Sequence, residues 1–199
     1  MGTLNDHNLH AYKDKHNTSV LVETGTGQGV AIVYALKADC FDSIYSIETV
    51  RQLFQGNLHL QIDNPQVNLH EGISVDCLPR ILKEVSAEKP ILFWLDAHFP
   101  GADFGMCAYD MFKGDEKIHA PLRLELESIV KHRPSYTKDV FIIDDYALYR
   151  REGSKLINHP GYIGGGIDFI RNMFESTHTL VIDPRDNGYI ILEPKGTVQ

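Results

Sequence analysis

The chain is short of cysteine, of positive charge and of long apolar runs. Its three cysteines, Cys40, Cys77 and Cys107, stand far apart and form no Cys-x-x-Cys pair. They read as free thiols in a reducing compartment. No run approaches the length of a membrane span, and the N-terminus lacks an apolar signal core. A cytoplasmic protein with no membrane partner is therefore expected. Lys and Arg number 19 against 27 Asp and Glu, for a net charge of −8. That balance does not suit a broad phosphate-binding face, so no nucleic-acid partner is expected. Arg150 and Arg151 leave only a local basic patch open. Internal repeats, low-complexity tracts and dividing linkers are missing too. Residues 1–199 thus read as one domain, long enough to bury a substantial core. The 43% hydrophobic and 23% charged content is ordinary for a soluble globular chain.

What is present is organised around residues 20–29, Val-Leu-Val-Glu-Thr-Gly-Thr-Gly-Gln-Gly. Val20, Leu21 and Val22 read as a buried parallel strand. Gly25, Gly27 and Gly29 turn the chain sharply and let a ligand approach bare backbone. Val30 to Ala38 follows as a helix whose free N–H groups point back at the turn. Such a strand, glycine turn and helix form a cofactor cradle in doubly wound folds. Glu23, at the strand end, suits a ligand with an ammonium group or hydroxyls better than a pyrophosphate. Glu48 ends the next apolar run, 43–47, where an acid can accept both hydroxyls of a ribose. Val30 stands where a nicotinamide fingerprint needs its third glycine, and no Gly-Lys-Ser/Thr follows for a P-loop.

On these residues the stretch resembles motif I of the class I S-adenosylmethionine-dependent methyltransferases, with Glu48 in the position after motif I. The resemblance implies that Glu23, Thr24, Gly25, Gly27, Gly29 and Glu48 hold S-adenosylmethionine. It also puts Glu71, Gly72 and Ile73 beside the adenine, with Ile73 packing its face.

The rest of the chain falls into alternating elements. Residues 1–19 are polar and histidine-rich, with a short helix at His7–Lys15 and solvated histidines at 7, 10 and 16. Helices are expected over 49–61, 75–85, 122–131 and 167–175, with Ser74 capping the second. Strands are expected at 67–70, 91–95, 139–143, 177–182 and 189–192. Asp186-Asn187-Gly188 turns the last pair as a hairpin. Residues 99–118 and 146–166 are long loops for such a fold, and glycines with interleaved aromatics suit lids over a substrate. Glu125, on the helix from Leu122, reads as a surface carboxylate or one facing the site. The order of elements is again similar to the class I methyltransferase fold. The expected architecture is α/β, a Rossmann-like three-layer sandwich with a mostly parallel seven-stranded sheet and a C-terminal antiparallel hairpin.

Asp96 and His98 follow the fourth strand, and Asp144 and Asp145 follow the fifth. In open α/β sheets these carboxyl ends carry the ligand site. Three carboxylates at one edge need a proton or a cation between them. Hard oxygen donors suit Mg²⁺. The pattern is similar to the metal-dependent O-methyltransferases of the catechol and macrocin types, which implies a metal on Asp96, Asp144 and Asp145. The stretch Trp94-Leu95-Asp96-Ala97-His98 looks more like uncharacterised relatives with Trp-Leu-Asp-x-His at this place. The competing mechanism is metal-free: His98 takes the proton from a hydroxyl or amine, and Asp96 or Asp145 orients the imidazole. Both mechanisms stay open, with Asp96, His98 and Asp145 as the catalytic candidates. The expected activity is methyl transfer to the oxygen of a small polyhydroxylated acceptor, a sugar or a phenol, with a homodimer left open. A nicotinamide-dependent oxidoreductase and a non-catalytic cofactor-binding module are the alternatives; no Tyr-x-x-x-Lys pair supports the first, and the strand-end acids argue against the second.

Overall fold

The computed structural model describes residues 3–149, 163 and 165–196. In chain order its elements are α1 (Leu9–His16), β1 (Val20–Thr24), α2 (Val30–Ala38), β2 (Ser43–Glu48), α3 (Arg51–Asp63), β3 (Val67–Glu71) and α4 (Ser74–Glu84). They continue with β4 (Ile91–Leu95), α5 (Glu116–His119), α6 (Leu122–His132), β5 (Val140–Ile143), α7 (Asp168–Phe174), β6 (His178–Asp183) and β7 (Tyr189–Pro194). Seven strands form one sheet in the order β3-β2-β1-β4-β5-β7-β6. The first five are parallel, and β7 runs antiparallel to both β5 and β6. This is the expected sandwich with its closing hairpin.

Strand order reverses between β1 and β4, so their carboxyl ends open a crevice there. All residues of β1, β4 and β5 are buried, as the unbroken apolar runs of β4 and β5 require, and β1 buries Glu23 and Thr24 beside Val20, Leu21 and Val22. Alternate side chains feed two cores. Val20, Val22, Phe93 and Phe141 pack with α4, α6 and α7 on one face. Leu21, Leu92, Trp94 and Ile142 pack with α2 on the other, under the N-terminal segment.

That segment departs from its polar reading. Leu4 and Leu9 are fully buried in the second core, and His7 between them is buried too, while Asn5 and Asn8 stay exposed. His7 is 3% exposed, with its ring 4.7 Å from Tyr189 edge-on, rather than solvated. Burial, and then the nearby Arg185, bring its pKa down to about 4. Ser74 also departs: Ile73 takes the cap position without a side-chain bond, and Ser74 is the first helical residue. No helix among the described residues is long and apolar enough to cross a membrane.

At the opposite end of the sheet, a buried ion pair ties β4 to β5. Arg133 Nε donates to Asp139 Oδ2 at 2.6 Å, and its Nη2 donates to Asp139 Oδ1 at 3.0 Å and to Lys89 O at 2.7 Å. Asp139 Oδ1 also accepts the Ile91 N–H at 2.8 Å. Asp139→Ala would strand the Arg133 charge in the core. Chemical denaturation should then report a loss of about 3–5 kcal/mol, the usual cost of breaking a buried pair from one side. A loss below about 1 kcal/mol would mean that the pair is dispensable.

Candidate active site

The glycine turn is fixed from three sides. Gly25 has φ +84°, and a Cβ there would lie 2.7 Å from the carbonyl oxygen of Asp96. Gly29 has φ +74°, and a Cβ would lie 2.5 Å from Asn57 Oδ1. Only glycine fits either place. Glu48 reaches across from β2: its Oε2 accepts the Gly27 N–H at 2.9 Å and its Oε1 accepts the Val50 N–H at 2.7 Å. Two carboxylate oxygens offer about four acceptor positions, so both retain capacity for hydroxyls. Asn57 donates to Gly27 O at 2.8 Å and to Leu53 O at 2.9 Å. The sequence reading missed Asn57. Its signal was a polar residue on the Leu53, Asn57, Leu60 stripe of α3, the spacing of a buried helix face.

Gly25, Gly27, Glu48, Gly72, Ile73, Asp96 and His98 line a cleft that encloses about 690 Å³, open in part to solvent. Gly72 donates its N–H to Glu48 O at 2.9 Å, which sets the two strand ends in register. Four residues read as cofactor contacts, Gly29 and the three described next, lie off this lining. Glu23 is buried beneath the turn, where the Ser46 hydroxyl donates to it and Thr26 Oγ1 lies 2.5 Å from Ser46 Oγ. Burial raises its pKa to about 8, against the pull of the Ser46 bond. Thr24 is fully buried, and its carbonyl accepts the Asp96 N–H at 3.1 Å. Glu71 is exposed, with its carboxylate 4.0 Å from Arg51 Nε.

The first long loop lies over this cleft. Phe104 Cζ is 3.0 Å from where a Gly27 Cβ would be. Phe99, at φ +42°, packs edge-on against His98, Tyr109 and His119, and its N–H bonds to His119 O at 3.0 Å. Most of the second loop, 150–162 and 164, falls outside the described residues, and with it Arg150, Arg151, His159, Pro160 and Tyr162.

At the ends of β4 and β5 the acids do not converge on a shared vacancy; His98 stands among them. Its Nε2 is 2.9 Å from Asp145 Oδ2, and its Nδ1 is 3.5 Å from Asp96 Oδ1. Asn187 Nδ2 donates to the other Asp145 oxygen at 2.8 Å. Asp144 Oδ1 accepts the Asp145 N–H at 2.7 Å, while Asp144 Oδ2 is buried with no hydrogen-bond partner. Asp145 adopts φ +54°, a left-handed backbone that costs a non-glycine residue about 1 kcal/mol or more. Such strain persists where the surroundings over-determine a conformation, here His98 and Asn187 on one carboxylate. Mg²⁺ on Asp96, Asp144 and Asp145 does not fit this arrangement. Both Asp145 oxygens are engaged, and the imidazole fills the space between two of the three acids. Among the described residues, no group of three or more histidine, cysteine or carboxylate side chains is arranged to hold a metal ion.

The electrostatics follow from the crowding. Burial, then Asp144, Asp145, Glu23 and Asp103, raise the Asp96 pKa well above the usual carboxylate range. Burial and then Asp145 push Asp144 up to about 7. Burial works to raise Asp145 as well, but the His98 bond and charge, with Asn187, bring it below its ordinary value. Burial alone would lower His98; the bond to Asp145 and the charges of Asp145 and Asp144 outweigh it and raise the imidazole pKa. Glu125 is no surface residue: it is 1% exposed, and burial raises its pKa to about 7. The Ser74 and Thr24 hydroxyls lower it in part, yet neither of its oxygens completes a hydrogen bond of normal geometry.

These shifts have a consequence for stability. Glu23, Asp144 and Glu125 hold protons in the folded chain that the unfolded chain has lost above about pH 5. Stability from them is present at low pH and lost as pH rises through 7 to 8. His98, raised by its partner, loses its contribution in the same direction. Buried neutral histidines such as His7 and His178 act oppositely, but only below the ordinary histidine pKa of about 6.5. Unfolding free energy should therefore fall between pH 6.5 and 8 in urea titrations. A rise over that interval would contradict the buried, protonated carboxyls.

No protein-family model matches the chain, and no curated protein matches it either. Solved structures do. One is the methyltransferase PaMTH1 of Podospora anserina with S-adenosylhomocysteine bound, at TM-score 0.60 and 13% identity, covering 94% of this chain and 75% of that one. Another is the O-methyltransferase TomG of Streptomyces achromogenes, involved in tomaymycin synthesis and solved with S-adenosylmethionine. It aligns at TM-score 0.54 and 14% identity, covering 94% of this chain and 78% of the other. At such identities the likeness is one of fold, and the fold of this chain is that of the class I methyltransferases.

Proposed function

We propose that the chain transfers a methyl group from S-adenosylmethionine to the oxygen of a small polyhydroxylated acceptor, a sugar or a phenol, with His98 as the general base. The observation that carries this reading is His98, 2.9 Å from Asp145 at one nitrogen and facing the cleft beside the glycine turn. The ligands named for PaMTH1 and TomG support the choice of cofactor. The cradle fits it: bare backbone at Gly25 and Gly27, a two-oxygen acceptor in Glu48 for a ribose, and Ile73 for an aromatic face.

The bound cofactor supplies an electrophilic methyl on a sulfonium. The rest is done by side chains. Asp145 holds a proton on His98 Nε2, so Nδ1 presents its lone pair toward Asp96 and the cleft. The 3.5 Å gap between Nδ1 and Asp96 Oδ1 is too long for a good hydrogen bond and leaves both atoms available to an acceptor hydroxyl. His98 takes that proton as the oxygen turns nucleophilic. Asp96 orients the oxygen, and Asp145 and Asp144 stabilise the imidazolium that forms. The lid excludes water, and in-line placement of the acceptor supplies much of the acceleration. In this reading the imidazolium is the cation that the strand-end acids need.

Three outcomes test the reading. Calorimetry should detect S-adenosylmethionine and S-adenosylhomocysteine but not NAD; NAD binding alone would refute it. Glu48→Ala should weaken cofactor binding about tenfold or more, the worth of a lost charged hydrogen bond, while the chain stays folded. An unchanged affinity would mean that the ribose lies elsewhere. With an acceptor found by screening labelled methyl transfer, His98→Ala should cost roughly 10²–10⁴-fold in kcat, and chelators should leave the rate unchanged. Loss of activity in a chelator, restored by Mg²⁺, would overturn the assignment of the base.

A further inference from the structure

Among the described residues, Glu125 is the one fully buried carboxyl that the mechanism above does not use and that completes no hydrogen bond at either oxygen. Its backbone belongs to the first turn of α6 and donates to the carbonyl of Pro121, a residue of the cleft wall, at 2.9 Å. Its side chain enters the wedge where three elements meet under the cleft floor. Thr24 closes β1 just before the glycine turn, and its hydroxyl also lacks a partner. Ser74 opens α4 and lines the cleft. The titratable groups that face Glu125 are His98, from the end of β4, and Tyr149, from the segment after β5.

A carboxyl kept for structure alone is hydrogen-bonded in nearly every protein. Glu23, on the other face of β1, shows the contrast: it lies as deep, but Ser46 completes a hydrogen bond to it, whereas the Ser74 and Thr24 hydroxyls stand near Glu125 without completing one. An unpartnered buried carboxyl is tolerable only while neutral, and ionises when a positive charge comes near. The cleft above it is where, on the reading of function proposed here, a sulfonium cation enters and a neutral thioether leaves.

We infer that Glu125 is the counter-charge for the cofactor's sulfonium, standing protonated in the free protein and ionised when the cationic cofactor fills the cleft. On binding, the O–H bond of the carboxyl breaks and the proton passes to solvent; no electrons move. After methyl transfer the sulfonium charge is gone, the carboxylate regains a proton, and the product loses an interaction that the substrate had. Glu125 thereby separates the affinities of S-adenosylmethionine and S-adenosylhomocysteine, and makes that separation depend on pH.

The test is calorimetric titration of the full chain with each ligand at pH 7, in buffers of different ionisation enthalpy. A group titrating near 7 is half protonated there, so S-adenosylmethionine should release roughly half a proton more than S-adenosylhomocysteine. The affinity ratio between the two ligands should shift toward S-adenosylmethionine by roughly five- to tenfold from pH 6 to pH 8. Glu125→Gln, which mimics the protonated acid in shape and charge, should abolish both the extra release and the pH dependence of the ratio. Equal proton release for the two ligands would overturn the inference in the natural chain, whether or not the variant folds. Unchanged release in a folded Glu125→Gln protein would also overturn it. Binding of neither ligand would overturn the methyltransferase reading itself, and the inference with it.

Discussion

The carboxyl edge of the sheet depends on one contact, that of His98 Nε2 with Asp145 at 2.9 Å. Asp96, Asp144 and Asp145 stand where two adjacent parallel strands end, and such crowding in a water-poor site is unstable without a compensating charge. The imidazole bonds to Asp145, the one acid held below its ordinary pKa, while Asp96 and Asp144 are pushed toward their protonated forms. Asn187, from the closing hairpin, takes the second Asp145 oxygen, so the turn between β6 and β7 also serves the site. The strained backbone at Asp145 is the local cost of aiming its carboxylate at His98. Remove the imidazole, and the acids must share protons or admit another cation. On the function proposed here, the same contact favours a base over a metal.

The cofactor cradle is built on a similar economy. Glu48 bonds to the Gly27 and Val50 backbones with the same oxygens that suit a ribose, so it shapes the turn before any ligand arrives. Asn57 clamps the turn from α3. Gly25 and Gly29 are required by contacts to Asp96 O and Asn57 rather than by flexibility. The site is thereby largely preformed, which limits the ordering that binding must accomplish.

Much of this was legible in the sequence, for physical reasons that can be named. Continuous apolar runs at 20–22, 91–95 and 140–143 announce strands buried on both faces, and strands of that kind place whatever follows them at the ligand edge. That is why Glu48, Asp96, His98, Asp144 and Asp145 could be picked out. Direction of side chains was not legible. Glu23 and Thr24 sit in the right strand but are buried off the cleft lining, because alternation in β1 sends them to its two faces. His98 was read as a rival to the metal, since sequence spacing cannot reveal that it falls between two acids from different strands. Asn57, Glu125 and the buried His7 owe their places to tertiary packing. A polar residue on a helix reads as solvent-facing until the partner surface is known. Ser74 is the first helical residue, with its hydroxyl near Glu125.

On the function proposed here, this edge binds a sulfonium cofactor in the glycine cradle and uses His98 rather than a metal beside it. A crystal structure of the chain grown with S-adenosylhomocysteine and Mg²⁺ tests it most directly. Ligand density is expected with the ribose on Glu48, the adenine against Ile73 and the sulfur facing His98, and His98 still bonded to Asp145. A metal peak bridging Asp96 and Asp145 with the imidazole displaced, or an empty cradle with the ligand elsewhere, would contradict it.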